Sequence, residues 1–155
     1  GLNVEAVTSK KNNIKILKKL GVKKIHIFKD FIKKHNFPLL TEKYSVVFDN
    51  LGGNIIPICL KYLIKKGIFV SIGNILGNVS NINILPFILR EVEVLGINAE
   101  TSSKNERKKI FSFFKSKKLK IKLLKRTRTL KLEEVSKIMN LKTFNKKTYR
   151  YVIRV

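Results

Sequence analysis

Apolar positions along this chain alternate between a period of two and a helical period, and the changes of period mark out the elements. Residues 4–7 read as a short strand. Ile14, Leu17 and Leu20 then follow helical spacing behind Asn12 or Asn13, either of which can cap, and Gly21 closes that helix. Residues 25–28 read as a second strand, followed by Lys29-Asp30 and a short helix that Phe37-Pro38 breaks, because the proline biases Phe37 towards extended geometry. Residues 44–48 predict a third strand, 54–65 a helix, and 68–72 a strand entered through Gly67. A polar loop over 74–83 leads to one helical turn at 85–89 and a strand at 92–97. Ser103-Lys104-Asn105-Glu106 has the form of a capping box and opens a basic helix carrying Ile110, Phe113 and Phe114. A basic strand near 119–129, a helix opened by Leu132-Glu133-Glu134-Val135 and a strand over 151–155 complete the chain. Strands alternating with helices imply an α/β fold built on a parallel sheet.

Composition narrows the class. The chain has 155 residues and 44% hydrophobic content, enough for one ordinary domain with a core. No apolar run approaches the ~20 residues that span a bilayer. One cysteine, Cys59, excludes an internal disulfide and fits a reducing compartment. The first residues carry neither an initiator Met nor a signal-peptide pattern, so a cytoplasmic piece of a longer protein is expected. The formal charge of +24 has two readings. Most of the basic residues are Lys, alongside abundant Asn and Ile, the set an AT-rich genome favours, and this drift is the preferred explanation. The alternative is a small basic nucleic-acid-binding module, supported by the Lys/Arg run from Lys104 to Arg128. No arginine-rich tail, zinc-finger spacing or aromatic RNA-binding motif accompanies it.

The candidate chemistry lies where strands end. Tyr44-Ser45-Val46-Val47-Phe48-Asp49-Asn50-Leu51-Gly52-Gly53 runs from a strand through an acid into glycines, and Gly67-Ile68-Phe69-Val70-Ser71-Ile72-Gly73 ends a second strand in glycine. Leu85-Pro86-Phe87-Ile88-Leu89-Arg90-Glu91-Val92-Glu93-Val94-Leu95-Gly96-Ile97 adds a helical turn with Pro, a strand and a closing Gly. Open α/β sheets hold ligands at such strand ends. In this order and spacing the chain resembles the cofactor domain of the medium-chain dehydrogenase/reductase superfamily, in particular its zinc-free quinone oxidoreductase and acrylyl-CoA reductase subgroup.

That resemblance implies a partial Rossmann-type doubly wound sheet over residues 1–98, and a C-terminal α+β segment over 99–155 that would pack back on a catalytic domain. A dinucleotide-binding domain opens with strand, G-x-G-x-x-G and helix, because glycine amides cradle the pyrophosphate at a helix N-terminus. The sequence contains no such motif. If residues 1–7 hold the second strand of the fold, the first strand, its glycine loop and the catalytic domain are missing. The chain is then expected to be the C-terminal half of a family member, inactive by itself and a poor binder of NADPH. The full-length parent would be an NADPH-dependent, zinc-independent reductase that delivers hydride to an enoyl thioester, enone or quinone. It would need neither a specific nucleic acid nor a membrane, and could be a homodimer.

The resemblance also implies site residues. Thr8-Ser9-Lys10-Lys11 stands where the family carries Ser-Gly-Arg for the NADP 2′-phosphate, and Lys keeps the charge without the bidentate fork. Lys29 reads either as a further cation of that pocket or as one more solvated lysine. Asn74 and Ile88 would face the nicotinamide half, Ala99 would follow at the end of the last strand, and Asn145 matches an Asn the family uses near the cofactor. Tyr149 departs from the glycine usual before the final strand. Asp49 reads equally as a functional acid at a strand end or as a structural turn or cap residue beside Gly52 and Gly53. His26 and His35 have no metal-site spacing, and Cys59 reads as a buried structural thiol with no base partner.

Overall fold

The computed structural model describes residues 2–33, 36–98, 100–115, 127–139 and 150–154. They divide into two units, Gly1–Thr101 and Ser102–Val155.

In the first unit, β1 (Glu5–Thr8) is followed by α1 (Asn13–Lys19), β2 (Lys24–Ile27) and α2 (Phe28–Phe31). Next come β3 (Tyr44–Asp49), a 3-10 turn (Gly53–Ile55), α3 (Ile56–Tyr62), β4 (Leu63–Ser71), α4 (Leu85–Arg90) and β5 (Glu93–Gly96). All strand pairs are parallel. β1 pairs with β2 in the register Glu5↔Lys24, and β3, β4 and β5 form a second sheet in that order. Parallel strands need crossover connections, which the intervening helices supply. The fold is thus α/β, with Rossmann-like parallel sheets.

The core lies on one face of the three-stranded sheet. Ile55, Cys59, Leu60 and Leu63 pack from the α3 side on Phe69 and Val92, with Phe28, Phe31, Val47 and Phe87 at its edge. On the opposite face Val46 and Phe48 of β3 are 41% and 67% exposed, whereas Val70 of β4 is buried. Among the described residues, neither the outer edge of β1 nor that of β3 is paired.

Several boundaries differ from the sequence expectation. The helix predicted to reach residue 65 stops at Tyr62, because Leu63 already pairs with Tyr44. The register then slips before Val46↔Ile68, and Lys66 takes up the bulge at φ 59°. The short helix begins at Phe28, inside the predicted strand. Asn12 occupies the cap position of α1, but its side chain makes no cap hydrogen bond.

In the second unit, α5 (Lys104–Phe114) opens on the predicted capping box: Ser103 Oγ accepts from Glu106 N at 3.2 Å, and Glu106 Oε2 accepts from Ser103 N at 2.7 Å. β6 (Thr127–Lys131), α6 (Leu132–Met139) and β7 (Arg150–Arg154) follow, with β6 and β7 paired in parallel. Most of the predicted basic strand near 119–129 lies outside the described residues.

Candidate functional site

Asp49, the last residue of β3, builds the rim at the carboxyl end of the larger sheet. It is 4% exposed, and its two carboxylate oxygens accept from Leu51 N and Gly52 N, each at 2.9 Å. These bonds fold residues 50–53 into a tight turn. Asp49 O also accepts from Ile72 N at 2.8 Å, and Leu51 O accepts from Leu76 N at 2.7 Å, so the loops after β3 and β4 are tied main chain to main chain. Glycine is required at this seam. Gly52 has φ +68°, and a Cβ there would meet Asn74 Cα and Gly77 O at 2.8 Å; one on Gly73 would lie 2.6 Å from Asn50 O. Asp49 is therefore a structural residue of the loop pair, the cap-like one of its two sequence readings.

At the carboxyl end of β1, Thr8 is half-buried and its Oγ1 accepts from Lys10 N at 3.2 Å and from Asn13 Nδ2 at 3.5 Å. The hydroxyl thereby folds the chain back towards α1 and leaves Ser9, Lys10 and Lys11 exposed on one turn. No carboxylate occurs within residues 8–11, although Asp30 lies near enough for Lys11 to stabilise its ionised form. The Asp30 carboxyl is held below its usual range chiefly by its hydrogen bond from Lys33, at 2.9 Å. Lys29 is exposed within α2.

The remaining expected residues are distributed along the rim. Asn74 is exposed in the loop after β4, with its Cα against Gly52 and its Nδ2 donating to Asn78 Oδ1. Ile88 is 63% exposed on α4. Ala99, Asn145, His35 and Tyr149 lie outside the described residues. The structure gathers Thr8, Ser9 and Lys10 in one turn and sets Asn74 against the glycine seam.

Two polar assemblies escaped the sequence reading. Glu5 Oε2 receives His26 Nε2 at 2.7 Å, Lys43 Nζ at 2.7 Å and Tyr44 OH at 2.8 Å. Burial pushes the Glu5 carboxyl up, but these three hydrogen bonds and the Lys43 charge outweigh it and hold the group at about 2. Glu5 begins β1 and Tyr44 begins β3, so the tie sets the amino ends of the two sheets side by side across their unpaired edges. Arg90, 11% exposed at the end of α4, donates Nη1 to Lys61 O at 2.8 Å and to Leu63 O at 2.9 Å, and Nη2 to Leu40 O. It satisfies carbonyls at the α3–β4 junction and so fixes the 85–97 stretch to the sheet. Partners 21 to 50 residues away leave no local signal in the sequence.

Other chemistry is poorly supported. Cys59 is 6% exposed, and burial, reinforced by the Asp49 charge, pushes its thiol up to about 12, so it carries little thiolate at neutral pH. Among the described residues, no three His, Cys, Asp or Glu side chains converge on a point that could hold a metal ion. An apolar groove of about 540 Å³ between α2 and α3 is lined by Phe28, Ile32, Ile55, Pro57, Ile58 and Leu76, away from the Thr8 turn. No helix among the described residues is long and apolar enough to cross a membrane.

Comparison with known proteins places this geometry. The family profile described as zinc-binding dehydrogenase matches residues 1–116. The Escherichia coli K-12 protein YhdH, solved with bound NADPH, superposes with a TM-score of 0.82 at 19% identity, over 100% of this chain and 47% of that one. The YhdH oxidoreductase of Salmonella enterica, in complex with NADP, gives 0.83 at 19% identity over the same shares. Bacillus subtilis YhfP, with NAD bound, gives 0.86 at 23% identity, again over 100% and 47%. The chain thus spans about half the length of these structures. No curated protein sequence matches it.

Proposed function

The chain belongs to the zinc-binding dehydrogenase family, within the medium-chain dehydrogenase/reductase superfamily, and from that premise we propose that it is the C-terminal half of an NADPH-dependent oxidoreductase. The full-length protein would transfer hydride to an activated carbon–carbon double bond or a quinone-like acceptor, such as an enoyl thioester or enone.

The observation that carries the cofactor choice is the turn at the end of β1. Thr8 and Ser9 offer hydroxyls, Lys10 and Lys11 offer charge, and residues 8–11 contain no acid to accept a ribose 2′-hydroxyl. A 2′-phosphate is the complement of that set. The neighbouring structures divide, two being described with NADPH or NADP and one with NAD, and the composition of the turn supports NADP for this chain. Among the described residues, no set of three His, Cys, Asp or Glu side chains is placed to hold a zinc ion.

In this reading the nicotinamide supplies the hydride. Asn74 and Ile88 would orient that half of the cofactor, while the glycine seam holds the loop bearing Asn74 in place. The unpaired edges of β1 and β3 would receive the strand that precedes the glycine loop in the complete protein, and the segment 99–155 would pack on its catalytic domain. The chain alone would then be inactive and hold NADPH weakly.

The test uses 2′,5′-ADP and 5′-AMP as probes, titrated into the labelled chain and followed by NMR. The 2′-phosphate should tighten binding about tenfold, the effect of one good charge-assisted hydrogen bond, with shifts centred on Thr8, Ser9 and Lys10. Lys10→Gln should remove most of that preference. Equal affinity for the two probes, or shifts elsewhere, would remove the NADP assignment; NADPH oxidation by the isolated chain would overturn the claim that it is inactive.

A further inference from the structure

Codon-driven drift enriches lysine along the whole chain, but the charge here is not evenly spread. Residues 102–155 hold 19 of the 34 basic residues and 3 of the 10 acids, a net +16 over 54 residues, against +8 over the first 101. Within this segment, α5 brings Lys104, Arg107, Lys108, Phe111 and Lys115 onto one face through their spacing of three and four. With Ser112, they line a shallow open groove. Phe111 is 67% exposed at its centre, with a cation one turn before it and another one turn after it.

The three lysines of the groove, Lys104, Lys108 and Lys115, stand outside the ion pairs of the chain's described residues. Glu106, the one acid of α5, is withdrawn into the capping box with Ser103. Arg107 donates Nε to Ser102 O at 3.2 Å, which holds its guanidinium beside the start of the helix.

We propose that this stripe of α5 binds single-stranded nucleic acid, with the lysines on successive phosphates and an unpaired base stacked on Phe111. An exposed aromatic ring inside a cationic track is the arrangement that sequence-tolerant single-strand binding uses. A membrane-surface helix keeps its aromatic residues on the face opposite its cations. Here Phe111 stands among the cations, with Phe114 one turn on at the edge of the stripe, while Ile110 and Phe113 lie further round the helix, Phe113 directly opposite. From Lys104 to Lys115 the helix rises about 16 Å, so one strand can follow it over several nucleotides. The inference concerns this stripe of α5 alone and involves no cofactor.

The experiment is fluorescence anisotropy of a labelled 20-nucleotide oligouridylate with the full chain between 50 and 200 mM salt. Phe111→Ala should weaken binding about tenfold and leave the salt dependence unchanged. Lys104→Gln with Lys108→Gln should lower the slope of log affinity against log salt by about 1.4, or about 0.7 per phosphate contact. Phe111→Tyr should bind as the parent does, and Phe113→Ala, on the opposite side, should bind within about twofold of it. Any of three results would overturn the proposal: Phe111→Ala binding like the parent, Phe111→Tyr failing as Ala does, or Phe113→Ala losing as much. Capture of the chain by phosphatidylserine vesicles in competition with the oligonucleotide would assign the stripe to membranes instead.

Discussion

Phe69 and Phe113 are the same side chain in opposite settings. Phe69 is 1% exposed at the centre of β4, beneath α3, whereas Phe113 is 75% exposed on α5. The contrast extends to their surroundings. Among the described residues, every member of the buried core lies in the first 101 positions, and neither α5 nor α6 buries a residue. The second unit presents Ile110, Phe111, Phe113 and Leu132 to solvent at 53% to 75% exposure and carries twice the net charge in half the length. The first unit reads as a scaffold that closes one face of its own sheet, and the second as material shaped for surfaces supplied by other molecules or other parts of a protein.

The sharpest way to break that comparison is to truncate both rings. Phe69→Ala should lower the unfolding free energy by about 3–5 kcal/mol, from lost burial and the cavity left behind. Phe113→Ala should stay within about 0.5 kcal/mol. Urea titrations followed by far-UV circular dichroism measure both. A comparable loss at Phe113 would mean that α5 is covered in solution, and the contrast would fail. A smaller pair of effects separates strain from collision within the first unit. Gly21 (φ +93°) has nothing within 4 Å of an added Cβ, so Gly21→Ala should cost about 1–2 kcal/mol of backbone strain alone. Gly52→Ala adds a clash with fixed main chain and should cost about 2–4 kcal/mol. Equal losses would show that the two loops of the seam can move apart.

Legibility in the sequence followed the range of the interaction. The capping box of α5 was readable because Ser103 and Glu106 are three residues apart and satisfy each other. The strand–acid–glycine rim was readable because turn chemistry is local, although the sequence left Asp49 between two roles until its bonds to Leu51 N and Gly52 N settled it. The end of α3 was misread for a tertiary reason: an apolar run at 62–64 suits either period, and pairing with Tyr44 claims Leu63 for the sheet. Arg90 reads as an ordinary last-turn cation and instead spans 50 residues of sequence to reach Leu40 O. The turn at Thr8–Lys10 could be located from its strand, but its geometry, with Thr8 Oγ1 turned to Lys10 N, could not.

The same division by range gives the smallest of the predicted effects, and it separates the two units by pH. Glu5 titrates at about 2 in the folded chain against a reference of 4.5. A carboxyl depressed by folding contributes stability that is present above the reference value and is lost as pH falls towards the folded one. The first unit should therefore weaken between about pH 4.5 and 2, by about 1–2 kcal/mol once solvent screening of a partly exposed group is allowed for. In the second unit the Glu106 carboxyl is also lowered, by its backbone and side-chain hydrogen bonds with Ser103, so acid should fray the start of α5 too. Glu5→Gln distinguishes them. It keeps the shape but not the charge that Lys43 and His26 approach, so it should flatten the acid dependence of the first unit and leave that of α5 intact. Hydrogen exchange of the β1 and β3 amides against those of α5, measured from pH 6 to 3, reads the two separately. If Glu5→Gln leaves the β1 and β3 profiles unchanged, the tie between the sheets does not contribute to holding their amino ends together, and the first unit relies on the core beneath α3 alone.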